Sequence, residues 1–317
     1  MRILCGVLAT LLTLAAGRTL AQPAPGEVRM GEVKMGFMVT SLSRISPADG
    51  SFDISAFAWT IDPGRTLDPA AQLQILARKA AGEAVQRAPL GDGSTFTGLR
   101  LEATLDQAFD LRDFPFDRQT LRVSVETEVP ADQLRFVPDV QDTRLADYLV
   151  VNGWNVTGLR FEERVVRYDT RFGVWQVPDF SRLTLLIDIE RERSALVIEK
   201  FIGYTMALLV TALIFLVPTD QIGVRIGMAT TAVFAAVGNR YGLDSLLGAE
   251  TAFGLVEQLS LIVFVAIFAA IAATLLTYEI AQKRTLALSR RVNVAAGGVV
   301  VALSFTLAGL AILGARG

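Results

Sequence analysis

Residues 196–217 read LVIEKFIGYTMALLVTALIFLV, and this run decides how the rest of the chain divides. As a helix it would rise about 33 Å, enough to cross a hydrocarbon core roughly 30 Å thick. Glu199 and Lys200, near its start, fall at the interface. Three further apolar segments follow at short intervals: 222–241, 255–278 and 294–313. The second is the weakest, rich in Gly, Ala and Thr and carrying Arg225 and Arg240. The last contains small residues that let helices approach closely. Charged residues instead crowd into the first two thirds of the chain. A composition of 52% hydrophobic and 20% charged residues, divided in this way, predicts a soluble domain followed by a membrane domain.

The soluble part reads as strands. Met35, Phe37, Val39 and Leu42 are apolar among small and polar residues, and Ser46 to Gly50 has turn composition. Phe52 to Trp59 alternates again and ends at the turn Asp62-Pro63-Gly64, so two antiparallel strands are expected. The stretch from Pro69 to Arg87 is open between a helix and a strand with a loop. Strand patterning resumes through Leu99, Leu101 and Leu105, then Leu121, Val123 and Val125, then Val156 to Val166, and finally Leu183 to Ile189. Several short strands with turn signals between them predict an all-β sandwich or barrel. The chain contains no internal repeat and no low-complexity tract.

The first 21 residues have the form of a secretory signal peptide: Arg2, then the apolar stretch Ile3 to Ala16, then the small-residue site Thr19-Leu20-Ala21. The only cysteine, Cys5, lies inside it, so the mature chain would hold no thiol or disulfide. There is no histidine, which excludes His/Cys zinc sites and Ser–His or Cys–His nucleophile pairs. No metal and no cofactor are expected. Net charge is −2, or −4 without Arg2 and Arg18, and nothing points to nucleic acid. Lys283, Arg284, Arg290 and Arg291 between the third and fourth apolar segments predict a cytoplasmic link. Counting back places the strand-rich domain outside, as the leader also requires. The expected location is the inner (plasma) membrane, with a periplasmic N-terminal domain at 22–193 and a membrane domain at 194–317.

Asp110-Leu111-Arg112-Asp113-Phe114-Pro115-Phe116-Asp117-Arg118-Gln119 resembles the signature loop of the pentameric ligand-gated channels, the Cys-loop receptors. The loop-closing cysteines of animal receptors would fall at Gln107 and Leu121; both are absent, as is usual in prokaryotic members. Phe180 to Arg191 resembles the last receptor strand and the arginine ahead of the first membrane helix. Gly153-Trp154 and Met35 to Trp59 match further parts of the receptor domain in the right order. Two prolines of the family pattern fall instead at Gly203 and near Gly248.

The resemblance implies an extracellular immunoglobulin-like β-sandwich followed by a four-helix transmembrane domain, assembled as a homopentamer of identical subunits. Agonist binding between sandwiches would open a pore for inorganic ions, lined by the second membrane helix. Asp117 and Arg191 would form a coupling pair at the domain boundary, with Pro115 and Phe116 beside them. The turn around Asp49 would touch the external loop 242–251. Gly227, Thr231, Phe234, Gly238 and Tyr241 are spaced four, three, four and three, so they share one helical face. Five copies of Thr231 could meet a hydrated ion and five of Phe234 could close a dewetting constriction. The neighbouring face, Met228, Ala232, Ala235 and Asn239, is the alternative. Asp220, Arg225 and Arg240 are candidate charges at the pore mouths. Trp59, Phe172 and Trp175 are candidate aromatic walls for an agonist, a small molecule or a proton.

Two other readings compete. A non-conducting periplasmic sensor or scaffold could use the same fold. A membrane-bound hydrolase built on paired carboxylates is a third, but no spacing singles out such a pair.

Overall fold

The computed structural model describes residues 31–64, 67–170, 178–192, 196–248 and 253–315, so the expected leader lies outside the described residues. Ten strands come first: β1 (Glu32–Ser46), β2 (Ser51–Asp62), β3 (Leu73–Ile75), β4 (Lys79–Pro89), β5 (Thr95–Asp106), β6 (Arg118–Pro130), β7 (Arg135–Pro138), β8 (Arg144–Leu145), β9 (Trp154–Val166) and β10 (Phe180–Arg191). A single turn, α1 (Pro69–Gln72), precedes β3. Four helices follow: α2 (Leu196–Ile214), α3 (Ile222–Leu247), α4 (Leu255–Lys283) and α5 (Leu286–Gly314).

The strands form two sheets. One runs β4-β5-β2-β1-β7, with β8 also beside β1; the other runs β3-β6-β10-β9. Alternation explains the packing. Val33, Met35, Phe37 and Val39 of β1 turn inward, as do Leu99, Leu101 and Leu105 of β5. They meet Leu121, Val123 and Val125 of β6 and Leu183, Leu185 and Ile187 of β10 in one shared core. Phe37 and Phe161, 6.2 Å apart between ring centroids, join the two sheets.

The open stretch 69–87 resolves into α1, β3 and most of β4. Residues 79–87 of β4 are exposed on both faces and are held by backbone pairing to β5, so no alternation marked them as strand. Among the described residues three helices, α3, α4 and α5, are long and apolar enough to cross a membrane. Within the 196–217 run, α2 extends to Ile214 and packs against α3 and α4, while α5 packs mainly on α4. Tyr204 on α2 and Ser260 on α4 share a buried hydrogen bond.

Candidate functional site

The first element of the site is the outward face of α3. Gly227, Thr231, Phe234, Gly238 and Tyr241 are all exposed, Phe234 and Tyr241 each at 72%. The alternative face turns into the subunit: Ala232 is buried, and Asn239 accepts a hydrogen bond from the Gly203 N–H at 3.0 Å. A Cβ at 203 would stand 2.6 Å from the Asn239 Cβ, so glycine at this point lets α2 and α3 touch. The open face of α3 is mostly small or hydroxylated, adding Gly223, Thr230 and Ser245 to the five. The open faces of the other helices are led by large apolar side chains, such as Leu209 and Leu213 on α2, Phe268 on α4, and Leu303 and Leu310 on α5.

The candidate mouth charges divide. Asp220 is exposed in the α2–α3 link. Arg225 is a correction: it does not face outward with the open stripe but is fully buried behind it. Its Nε and Nη2 donate to the Val217 carbonyl at 3.1 and 2.9 Å, Nη1 donates to Thr277 Oγ1 at 3.2 Å, and Nη2 also reaches Asn293 Oδ1. The guanidinium thus pins the turn that follows α2, tying the Val217 carbonyl to α4 and α5 through Thr277 and Asn293. Helical geometry accounts for this: at about 100° per residue, Arg225 lies roughly 200° from Gly227. Arg240 is partly buried and is held by Asp244 at 2.9 Å and Glu257 at 3.1 Å, which neutralise it.

The second element joins the sheets to the helices. Arg191 donates Nε to Asp117 Oδ1 at 2.8 Å and Nη2 to Oδ2 at 3.1 Å, a two-pronged pair largely out of water. Its guanidinium also lies 4.1 Å from the Trp154 ring and 4.9 Å from Phe114, so Trp154 serves as a platform for the arginine. Gln119 closes the loop that carries Asp117: its amide accepts from the Asp110 N–H at 3.1 Å, donates to the Asp110 carbonyl at 2.7 Å, and donates to Asp117 at 3.0 Å. The Phe114–Pro115 peptide bond is cis. Phe114 is buried against Phe201 of α2, and Pro115 with Phe116 lines an apolar cavity of about 490 Å³ shared with Tyr204, Leu255 and Ile312. The Leu255 N–H, opening α4, donates to the Arg112 carbonyl at 2.8 Å.

The β1–β2 turn also reaches the helices, through a different residue from the one expected. The Asp49 carboxylate is bonded to Ser46 within the turn, and Ala48 is what approaches Gly248, with a Cβ at 248 landing 3.4 Å from the Ala48 Cα. Gly248 has φ of +88°, which suits glycine at the end of α3.

The third element is aromatic. Trp59 lies across Gly36 and donates Nε1–H to the buried Asp139 at 3.0 Å; Lys34 pairs with the same carboxylate at 3.0 Å. Phe57 lies over Gly98 in the same way, 6.4 Å from Trp59. Residues 36 and 98 must lack a side chain for these rings to lie flat on the sheet. Phe172 and Trp175 fall outside the described residues. Glu126 is buried and accepts from Tyr168 Oη–H at 2.7 Å and from Arg182 Nε at 2.8 Å. Sequence reasoning missed Asp139, Tyr168 and Arg182 because each meets its partner only through strand pairing.

No protein-family model matches the chain, and a search of curated proteins finds no match.

Proposed function

We propose that the chain is one subunit of a homopentameric ligand-gated ion channel of the Cys-loop receptor type, standing in the plasma membrane with its sheets outside and α2 as a fourth span. The observation that carries this reading is the open face of α3. A helix facing lipid has no use for Gly227, Thr231 and Gly238 in a row, whereas a wetted wall shared by identical neighbours does. Phe234, midway along that face, supplies the apolar ring that closes such a pore by dewetting. The Asp117–Arg191 pair and the Arg112–Leu255 bond support the same reading, since they provide a route from a ligand held between sandwiches to the helices.

Purified protein in a planar bilayer is expected to give unitary currents, and Phe234→Ala to increase leak or slow closing. Silence across ligands and pH, or particle images without five subunits about an axis, would overturn the proposal.

A further inference from the structure

We propose that Arg225 makes the pore pass anions, although its side chain never lines it. The inference rests on the channel reading and adds the class of ion that crosses. Arg225 is the largest fully buried side chain among the described residues. Its hydrogen bonds all go to neutral groups: the Val217 carbonyl, Thr277 Oγ1 and Asn293 Oδ1. These dipoles solvate the guanidinium without cancelling its charge, and among the described residues no carboxylate pairs with it. Arg240, the other arginine of α3, shows the contrast: Asp244 at 2.9 Å and Glu257 at 3.1 Å neutralise it.

A charge in a dry interior acts over a longer range than one in water, because little solvent screens it. Gly223 and Gly227 bracket Arg225 along α3; both are exposed, and a Cβ added to either meets nothing within 4 Å. No side chain at either position keeps an ion away from the helix. The open face carries no acid to offset the arginine: the one carboxylate within 222–247 is Asp244, held by Arg240 toward the far end. The first turn of α3 also has neither a side-chain cap nor an acidic residue, so its N–H groups add partial positive charge at the Arg225 end.

The remaining charges at that end have the same sign on balance. Arg284, Arg290 and Arg291 stand exposed where α4 turns into α5, a corner that Ser289 ties to the α2–α3 link through Thr219 Oγ1 at 2.9 Å. Lys283 is offset by Glu279. Asp220 is the acidic residue of the α2–α3 link, and it is exposed, so water and salt screen it beyond about 8 Å. In a closed ring of identical subunits the five buried cations act together. An anion entering past the α2–α3 links is attracted, and a sodium ion is repelled.

The test is the reversal potential of the purified full chain in planar bilayers under a sodium chloride gradient. Chloride is expected to pass about ten-fold more readily than sodium, or better. Arg225→Gln should bring the ratio close to unity, whereas Arg225→Lys, which keeps the charge and loses the fork, should preserve it. An arginine with a purely structural role would not divide the two variants in this way. Should the glutamine variant fail to assemble, Gly227→Asp decides, because that position has open space for a side chain. Its five carboxylates should turn the preference toward sodium. Wild-type current carried by sodium, or a ratio that Arg225→Gln leaves unmoved, would overturn the inference while leaving the channel standing; so would an unmoved ratio in Gly227→Asp. Silence would instead overturn the channel reading, and this inference with it.

Discussion

Arg191 concentrates several interactions in one side chain: a two-pronged bond to Asp117, a face on Trp154 and an approach to Phe114. Its role follows from the fork shape of the guanidinium, which an ammonium group cannot reproduce. Asp117→Asn leaves a largely buried cation without its counter-charge, a change that costs about 3–5 kcal/mol at such sites. Arg191→Lys should lose the second bond and the ring contacts and be nearly as damaging. Chemical unfolding followed by tryptophan fluorescence checks both, because Trp59, Trp154 and Trp175 all precede the helices. A lysine variant as stable as wild type would mean that charge alone holds this corner. The pairing of 117 with 191 was expected only from the resemblance to the pentameric channels, and the structure does bring the two side chains together. Trp154 as its platform was not legible, because that contact exists only once β9 and β10 lie side by side; Gln119 as the staple was not, because its bonds to Asp110 and Asp117 appear only when the loop has closed.

Asp188 shows what an element contributes. On β10 it accepts from Thr120 of β6 at 2.7 Å and from both prongs of Arg160 of β9 at 2.7 Å, so one carboxylate ties three strands together. Those bonds from Arg160, more than the opposing effect of burial, hold its carboxyl below the usual carboxylate range. The stabilisation is therefore fully present above the unfolded value near 3.9. It is lost as pH falls through the lower folded value. Arg160→Gln should be less stable than wild type at neutral pH, with the two converging in acid. Urea midpoints from about pH 6 to about pH 2 measure this, and a constant separation would argue against it. Alternation made β1, β2, β5, β6 and β10 readable. It failed for residues 79–87 of β4, whose Ala, Glu and Gln side chains stand in solvent on both faces and whose strand state comes from β5. On α3 the period left two neighbouring faces open, and burial in the structure decides for the one with Gly227 and Thr231; the same period, applied to Arg225, would have turned that side chain inward.

At the scale of the whole molecule, sheets and helices meet where backbone touches backbone. Gly254, just ahead of α4, has φ of −132°, an extended conformation open to any residue, so its need for glycine is steric. A Cβ there would stand 2.6 Å from the Arg112 Cα, in the loop that also accepts the Leu255 N–H. Gly254→Ala must push that loop from the start of α4, at a cost of about 1–3 kcal/mol for overpacking. The larger consequence concerns cooperativity, because this contact, the Ala48–Gly248 approach and the packing of Phe114 on Phe201 are where the two halves bear on each other. In wild type, tryptophan fluorescence, which reports only the sheets, and far-ultraviolet ellipticity, dominated by the helices, should change together on heating. In Gly254→Ala the fluorescence transition should separate from the helical one, the sheets losing the support that α4 gives them. A single coincident transition at the wild-type temperature would mean that the loop rests on α4 without being held by it, and that the sheets and helices are joined through Phe114 on Phe201 and the Ala48–Gly248 approach instead.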